Sequence, residues 1–246
     1  MSPRAVCCFL ILALVTAGCA EVPEDPEARA DFDRTDDPLE PMNRTIFAFN
    51  DFLDLHVMEP LARGYRDLMP EAIRGRIHDF LVNLNEPYVG GNELLKGEFT
   101  AASVDLGRFV INSTFGILGS WDLVAATGGP TAHSADLGLT LGSWGLGEGP
   151  YLMLPILGPS NPRDAAGSLA DLWADPVDAL IATRGGTAWI VDLHAGMSGL
   201  DTRVQYLDPI ADIRRSSLDV YASVRSLYRQ RRRAAVGDGG EAGPDL

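Results

Sequence analysis

Lysine is almost missing from this chain: of 20 basic residues in 246, Lys96 is the only one. Gly97 follows it, which excludes the Gly-Lys-Ser/Thr of a phosphate-binding loop, so the chain shows no means of using ATP itself. Histidine is scarce as well. His56, His78, His133 and His194 share no metal-ligand spacing with one another or with cysteine, so no metal site is expected. The Gly-x-Ser-x-Gly elbow is missing too: Gly142-Ser143-Trp144-Gly145 and Gly196-Met197-Ser198-Gly199 both depart from it. No catalytic residue and no cofactor are therefore assigned, and the chain is not read as an enzyme. A formal net charge of −14 excludes nucleic-acid binding through phosphate neutralisation and docking on anionic lipid through a basic patch.

Only three cysteines occur, and their positions are informative. Cys7 and Cys8 fall inside Ala5–Val15, an uncharged apolar run of about eleven residues behind Arg4. That length fits a secretory signal and is too short to span a bilayer. Small residues follow, then Cys19. The pattern resembles a lipoprotein signal, with Thr16 where Leu is commoner. The expectation is cleavage after residue 18 and acylation of Cys19, leaving an exported chain with no internal disulfide. Two or three acyl chains make a stable membrane anchor, where one is marginal.

Residues 19–36 are acidic and proline-bearing, the composition of a flexible tether. Fully extended they reach roughly 60 Å. Residues 37–233 are expected to form one helical domain and residues 234–246 a disordered acidic tail. Hydrophobic residues make up 46% of the chain, enough for a sizeable core. Strand-type alternation is hard to find. Asp37-Pro38-Leu39-Glu40, Asn161-Pro162-Arg163-Asp164 and Asp175-Pro176-Val177-Asp178 share a helix-start form: a capping acceptor, proline at the first position and a carboxylate three residues on. Helices are expected near 40–55, 70–84, 88–96, 100–118, 163–173, 176–184, 186–197 and 200–232. Phe49 and Leu53 share a face with Ile46 and are read as packing residues. The arginines from Arg225 to Arg233 are read as a solvated helix end.

Two segments do not fit a routine bundle. Phe109–Trp121 has no charged residue and is bracketed by Arg108 and Asp122. As a helix it rises only about 20 Å, short of a hydrocarbon core. Its composition favours a buried core helix; the other reading is a piece that sinks into one leaflet. The second segment, Leu137–Pro162, is crowded with glycine and proline, and Pro150 and Pro155 argue against a regular strand ladder. It is either a long packed loop or the backbone-lined wall of a passage. In the second case Thr140, Ser143, Trp144 and Tyr151 are the contacts, with Gly138, Gly142, Gly145, Gly147 and Gly149 giving close approach and mobility.

Several blocks, in order, resemble the MlaA family (also called VacJ). They are Asp37-Pro38-Leu39-Glu40 with Asn43-Arg44 and Phe47-Ala48-Phe49-Asn50; Tyr65-Arg66-Asp67 and Pro70; Asn83-Leu84-Asn85-Glu86-Pro87; and Arg108-Phe109 with Asn112-Ser113-Thr114. Leu141-Gly142 through Gly149-Pro150-Tyr151, Leu154-Pro155 and Arg163-Asp164 follow, then Arg203-Val204-Gln205-Tyr206-Leu207-Asp208. Glu59 stands where a basic residue is more usual. The resemblance implies a mainly α, ring-like, monotopic domain of several short helices with a Gly/Pro-rich irregular segment, seated in the inner leaflet of a Gram-negative outer membrane. It implies a lipoprotein that removes mislocalised phospholipid from the outer leaflet beside a trimeric porin and hands it to a periplasmic lipid carrier. Phe109, Val110, Ile111, Phe115, Ile117, Leu118 and Trp121 then become leaflet-embedding residues. Gly138 to Tyr151 become part of the lipid path or its gate. Two other functions compatible with the residues are a porin scaffold that moves no lipid and an envelope phospholipase.

Overall fold

The computed structural model describes residues 35–174 and 188–237, with residues 23, 25, 26 and 29. The signal segment, Cys19, most of the tether, the expected helix at 176–184 with its start at Asp175, and residues 238–246 lie outside the described residues. The order is α1 (Glu40–Leu53), a π-helical turn (Asp54–Met58), α2 (Glu59–Leu68), α3 (Glu71–Lys96), α4 (Phe99–Phe115), α5 (Leu123–Ala126) and α6 (Leu137–Ser143). Strands β1 (Leu152–Leu154) and β2 (Gly158–Ser160) come next, then α7 (Pro162–Ala174), α8 (Ala188–Gln205), α9 (Leu207–Ser216) and α10 (Val220–Gly237).

Several boundaries differ from those expected. The helices expected at 70–84 and 88–96 are one, with Pro87 inside it. Its packing on α4 overrides a proline that would break an isolated helix. At Gly90 an added Cβ would lie 3.3 Å from Asp105 Cβ and Leu106 Cγ, so glycine sets the spacing of this pair. The single helix expected at 200–232 is three. Pro209 falls in the first turn of α9, and Asp219 Oδ1 accepts from Ala222 N at 3.1 Å to start α10. The last helix runs to Gly237 with Ala235 buried, so the structured part outlasts the expected tail boundary at 234.

The Asn161 start is confirmed: Asn161 Oδ1 accepts from Asp164 N at 2.8 Å, and Asn161 Nδ2 donates to Asp164 Oδ2 at 2.7 Å. The Asp37 start is not. The helix begins at Glu40, and the Asp37 carboxylate is buried, taking Asn43 Nδ2, Tyr221 OH and Arg225 Nη1.

A strand ladder does form across the proline-rich segment, antiparallel with Met153 opposite Pro159. A two-stranded ribbon tolerates proline because one side of each strand has no partner strand. Two asparagines of α1 hold it. Asn43 donates to Tyr151 O (3.1 Å) and accepts from Met153 N (2.9 Å). Asn50 donates to Leu154 O (2.9 Å) and accepts from Ile156 N (2.8 Å). Seven helical residues rise about 10.5 Å, and three extended residues about 10 Å. The two side-chain amides therefore meet the ribbon in register, like peptide groups of a third strand. Tyr151, Met153 and Tyr221 form a small aromatic core beside this clamp, with Ile46, Phe47 and Tyr228 packed on it.

The expected solvated arginine end holds only at Arg231 and Arg233, which are exposed; Arg225 and Arg229 are buried and Arg232 is partly buried. Arg225 pairs with Asp37 at 2.6 Å, Arg229 with Glu148 at 2.7 Å, and Arg232 with Asp136 at 2.5 Å and Asp164 at 2.7 Å. Phe49, read as a packing residue, is about half exposed.

Candidate functional site

The α3–α4 hairpin is amphipathic in reverse. On α3, Asn83, Glu86, Gly90 and Glu93 recur at helical spacing and are buried; on α4, Ala102, Asp105, Arg108 and Asn112 do the same. Phe99, Leu106, Val110 and Phe115 of α4 are all exposed. Water drives the opposite arrangement. The pattern recurs across the molecule: among the described residues, 27 large hydrophobic side chains are exposed, 10 hydrophobic residues are buried, and 18 polar or charged ones are buried. A surface this apolar calls for a hydrophobic partner or a lipid phase.

Phe109–Trp121 shows the inversion most plainly. The buried-core expectation for this segment fails. Val110, Ile111, Phe115, Ile117, Leu118 and Trp121 are exposed, and Phe109 is half-buried. Arg108 and Asp122, which bracket the segment, clasp each other at 2.8 Å. Ile117 and Leu118 adopt φ of 56° and 58°, so the chain turns back sharply with both side chains at an apolar tip. Gly119, at φ 87°, passes so close to Asn83 that an added Cβ would lie 2.3 Å from its Nδ2.

Between α3, α4 and the loop before α6 lies a cavity of about 350 Å³. Its wall is polar. Arg108 donates from Nε to Glu86 Oε1 (2.8 Å), from Nη2 to Asp122 Oδ2 (2.8 Å) and from Nη1 to Pro130 O (2.5 Å). Asp122 also accepts from Asn112 Nδ2 at 3.0 Å and caps α5 through Ala125 N at 3.1 Å. His133, on the loop, lies 3.2 Å from Glu93 Oε1 and 3.4 Å from Asp105 Oδ1, and Lys96 Nζ meets Glu93 at 2.6 Å. His78 Nδ1 lies 2.7 Å from Asp201 Oδ2 at another edge. The single lysine of the chain is thus a buried counter-ion.

Burial moves the titration of two carboxyls here. It pushes Glu86 above the usual carboxylate range in spite of Arg108, and Asp105 likewise in spite of His133. Burial works the same way on Asp122 but is outweighed by Arg108, the Ala125 amide and Asn112, which hold it low. Among the described residues no cluster suits a metal ion.

The glycine-rich stretch lies elsewhere. Gly138, Thr140 and Gly142 are buried on α6, where a Cβ on Gly138 would lie 2.6 Å from Asp164 Oδ1. Thr140 Oγ1 donates to Asn92 Oδ1 (2.8 Å), and Ser143 Oγ to Thr140 O (2.7 Å). Trp144 Nε1 donates to Leu95 O (2.9 Å) while its ring stays exposed. Gly145 and Gly147 face open space, Gly149 sits on Pro162, and Tyr151 is in the aromatic core. None of these nine residues lines the 350 Å³ cavity. The residues that do, Glu86, Arg108, Asn112 and Asp122 among them, left one sign in the sequence: polar side chains at helical spacing beside uncharged apolar ones.

The profile of the MlaA lipoprotein matches residues 35–235. The chain belongs to the MlaA family. It is 35% identical over 231 residues, 92% of this chain and 86% of the relative, to the intermembrane phospholipid transport system lipoprotein MlaA of Escherichia coli K12. It is 30% identical to the protein of the same name from Haemophilus influenzae, covering 97% of this chain and 93% of that one. An uncharacterised protein of Rickettsia bellii is 35% identical over 81% of this chain and 76% of its own length. A solved structure described as the structural basis for maintenance of bacterial outer membrane lipid asymmetry superposes with a TM-score of 0.68 at 36% identity, covering 80% of this chain and 96% of that one. As in the sequence expectation, the MlaA-like region is mainly helical, and among the described residues no helix is long and apolar enough to cross a membrane.

Proposed function

We propose that this protein is an outer-membrane lipoprotein that moves phospholipid between the membranes of the cell envelope and so maintains lipid asymmetry. The observation that carries this function is the inverted packing: a cavity lined mostly by polar side chains, between two helices that carry exposed apolar side chains. A phospholipid crosses a bilayer slowly because its charged headgroup must leave water for hydrocarbon. A polar interior next to a lipid-facing rim lowers that cost for the headgroup while the acyl tails stay in apolar surroundings. Such a step makes no covalent bond and needs neither acid nor nucleophile. Without a nucleotide motif it runs down a lipid gradient, with energy supplied by partners.

In this proposal Cys19 carries the acyl anchor at the periplasmic face. Phe109 to Trp121 seats in the inner leaflet, a trimeric porin lies alongside, and a periplasmic carrier receives the lipid. The names of the MlaA relatives support the substrate class and the compartment. The test is surface phospholipid in cells lacking the protein and in cells carrying Cys19→Ala, read with a probe confined to the outer leaflet. The expected result is a rise in both, with total phospholipid barely changed. An unchanged surface in the deletion strain would favour a scaffold that holds a porin without moving lipid.

A further inference from the structure

The turn of the β1–β2 ribbon lies outside the cavity and is built in an unusual way. Pro155, Ile156 and Leu157 are exposed there, Ile156 at 79% and Leu157 at 67%. Ile156 has φ 68°, which is costly for any L side chain and most of all for a β-branched one. Glycine would sit there without that cost. The fold thus keeps an isoleucine on a strained backbone and leaves its side chain uncovered. In water both features are unfavourable, and together they point to something that covers the side chain.

The same combination occurs at the tip after α4. Among the described residues, the non-glycine residues with positive φ are Asp36, Ile117, Leu118 and Ile156. The three aliphatic ones are all exposed. Each tip also lies in a stretch without charge: residues 109–121 between Arg108 and Asp122, and residues 149–162 between Glu148 and Arg163.

The backbone of the ribbon turn narrows what covers it. Ile156 N donates to Asn50 Oδ1 at 2.8 Å, and Leu157 N donates to Pro155 O at 2.8 Å. Pro155 has no N–H, and Leu154 O accepts from Asn50 Nδ2 at 2.9 Å. A partner that adds a strand needs free N–H groups, and these three residues present none. A protein interface also carries a polar rim, and this stretch has no charged residue to supply one. Hydrocarbon asks for the reverse, backbone groups satisfied within the protein. The helix that clamps the turn leads the same way: Phe49 and Phe52, flanking Asn50 in α1, are 49% and 56% exposed.

We infer that the ribbon tip is a second lipid-insertion point, at which Ile156 and Leu157 enter bilayer hydrocarbon on a turn that Asn50 holds in place. The inference rests on the membrane seat proposed for residues 109–121 and adds a contact outside that segment.

The test puts a nitrobenzoxadiazole label on Leu157→Cys and, in a separate sample, on Phe115→Cys of the full-length protein. Both are bound to vesicles of phosphatidylethanolamine and phosphatidylglycerol, and labelled parent protein sets the background. Quenching is read from nitroxides on the acyl chains and from iodide in the water. The expected result is that acyl-chain nitroxide quenches both labels and iodide quenches neither. If iodide alone reaches position 157 while position 115 lies in lipid, the second insertion point is overturned and the membrane seat stands. If iodide alone reaches both, the seat falls and the inference with it. Shielding of position 157 from both quenchers gives the tip to a protein surface, a second copy included, and overturns the lipid assignment.

Ile156→Asn separates insertion from folding. Asparagine tolerates positive φ better than isoleucine, so the melting temperature in detergent should not fall. Vesicle partitioning should drop about tenfold, the equivalent of one buried aliphatic side chain. Unchanged partitioning overturns the inference.

Discussion

Arg108 on α4 donates to Glu86 on α3 across 2.8 Å, with both side chains sealed from solvent at 1% and 2% exposure. Removing one partner of a buried pair strands the other charge. Arg108→Met is expected to cost about 3–5 kcal/mol of stability, and it also frees Asp122 and Pro130. The double variant Arg108→Met/Glu86→Gln should recover part of that loss. Denaturant unfolding in detergent measures both; an Arg108→Met variant as stable as the parent would remove the ion pair from the account of the fold.

Gly138 and Gly147 belong to one glycine-rich stretch and should behave differently. A Cβ at Gly138 meets Asp164 Oδ1 at 2.6 Å and Arg232 Nη2 at 2.7 Å, whereas Gly147 has open space. Gly138→Ala is expected to lose about 1–3 kcal/mol through overpacking. Gly147→Ala should stay within about 0.5 kcal/mol of the parent and transport lipid normally. A transport defect at Gly147 with unchanged melting would place a moving gate there.

Acid should unfold the protein in a defined direction. Burial would raise Asp164, but Arg232, Tyr228 and Arg163 outweigh it and hold the carboxyl below its usual range. A folded pKa below the unfolded value of about 3.9 contributes stability above that pH. The contribution is lost as pH falls through the folded value. Glu86 has the opposite slope, since its raised folded pKa makes stability fall as pH rises through the range above about 4.3. Melting curves from pH 3 to 7 should therefore be flatter at the acid end for Asp164→Asn, and flatter at mildly acidic pH for Glu86→Gln.

Phe115 is 71% exposed at the end of α4. Phe115→Asp should barely change stability, because the side chain packs little, yet weaken vesicle partitioning roughly tenfold or more, the equivalent of one buried aromatic side chain. Co-flotation with vesicles reads this directly. Undiminished flotation would show that the apolar tip does not enter lipid.

Much of the helical framework was legible because its punctuation is local: proline and capping residues mark the starts at Glu71 and Pro162, and Gly97 at φ 85° closes α3. What was not legible depends on distant partners. Nothing near Asp37 says that its carboxylate serves Tyr221 and Arg225 instead of a helix end. Nothing near Arg229 announces Glu148. The candidate site was missed for a second reason. Periodicity locates two faces of a helix without saying which one is inside, and the ordinary rule assigns the apolar face to the core. In α3 and α4 that rule is reversed, so Val110 and Phe115 read as core and nothing singles out Glu86 and Arg108 as buried. Asn43 and Asn50 stand in the blocks that carry the family resemblance, and their clamp on the ribbon gives them a structural role.

The arginines of α10 carry a consequence for the order of events during synthesis. Arg225 reaches back 188 residues to Asp37, Arg232 back 96 to Asp136, and Arg229 back 81 to Glu148. These acids are made first and wait for cations that the ribosome supplies last. Until α10 arrives, Asp37, Asp136 and Glu148 are without these arginines. A chain cut before Val220 would keep every earlier helix and lose all three of these long-range ion pairs.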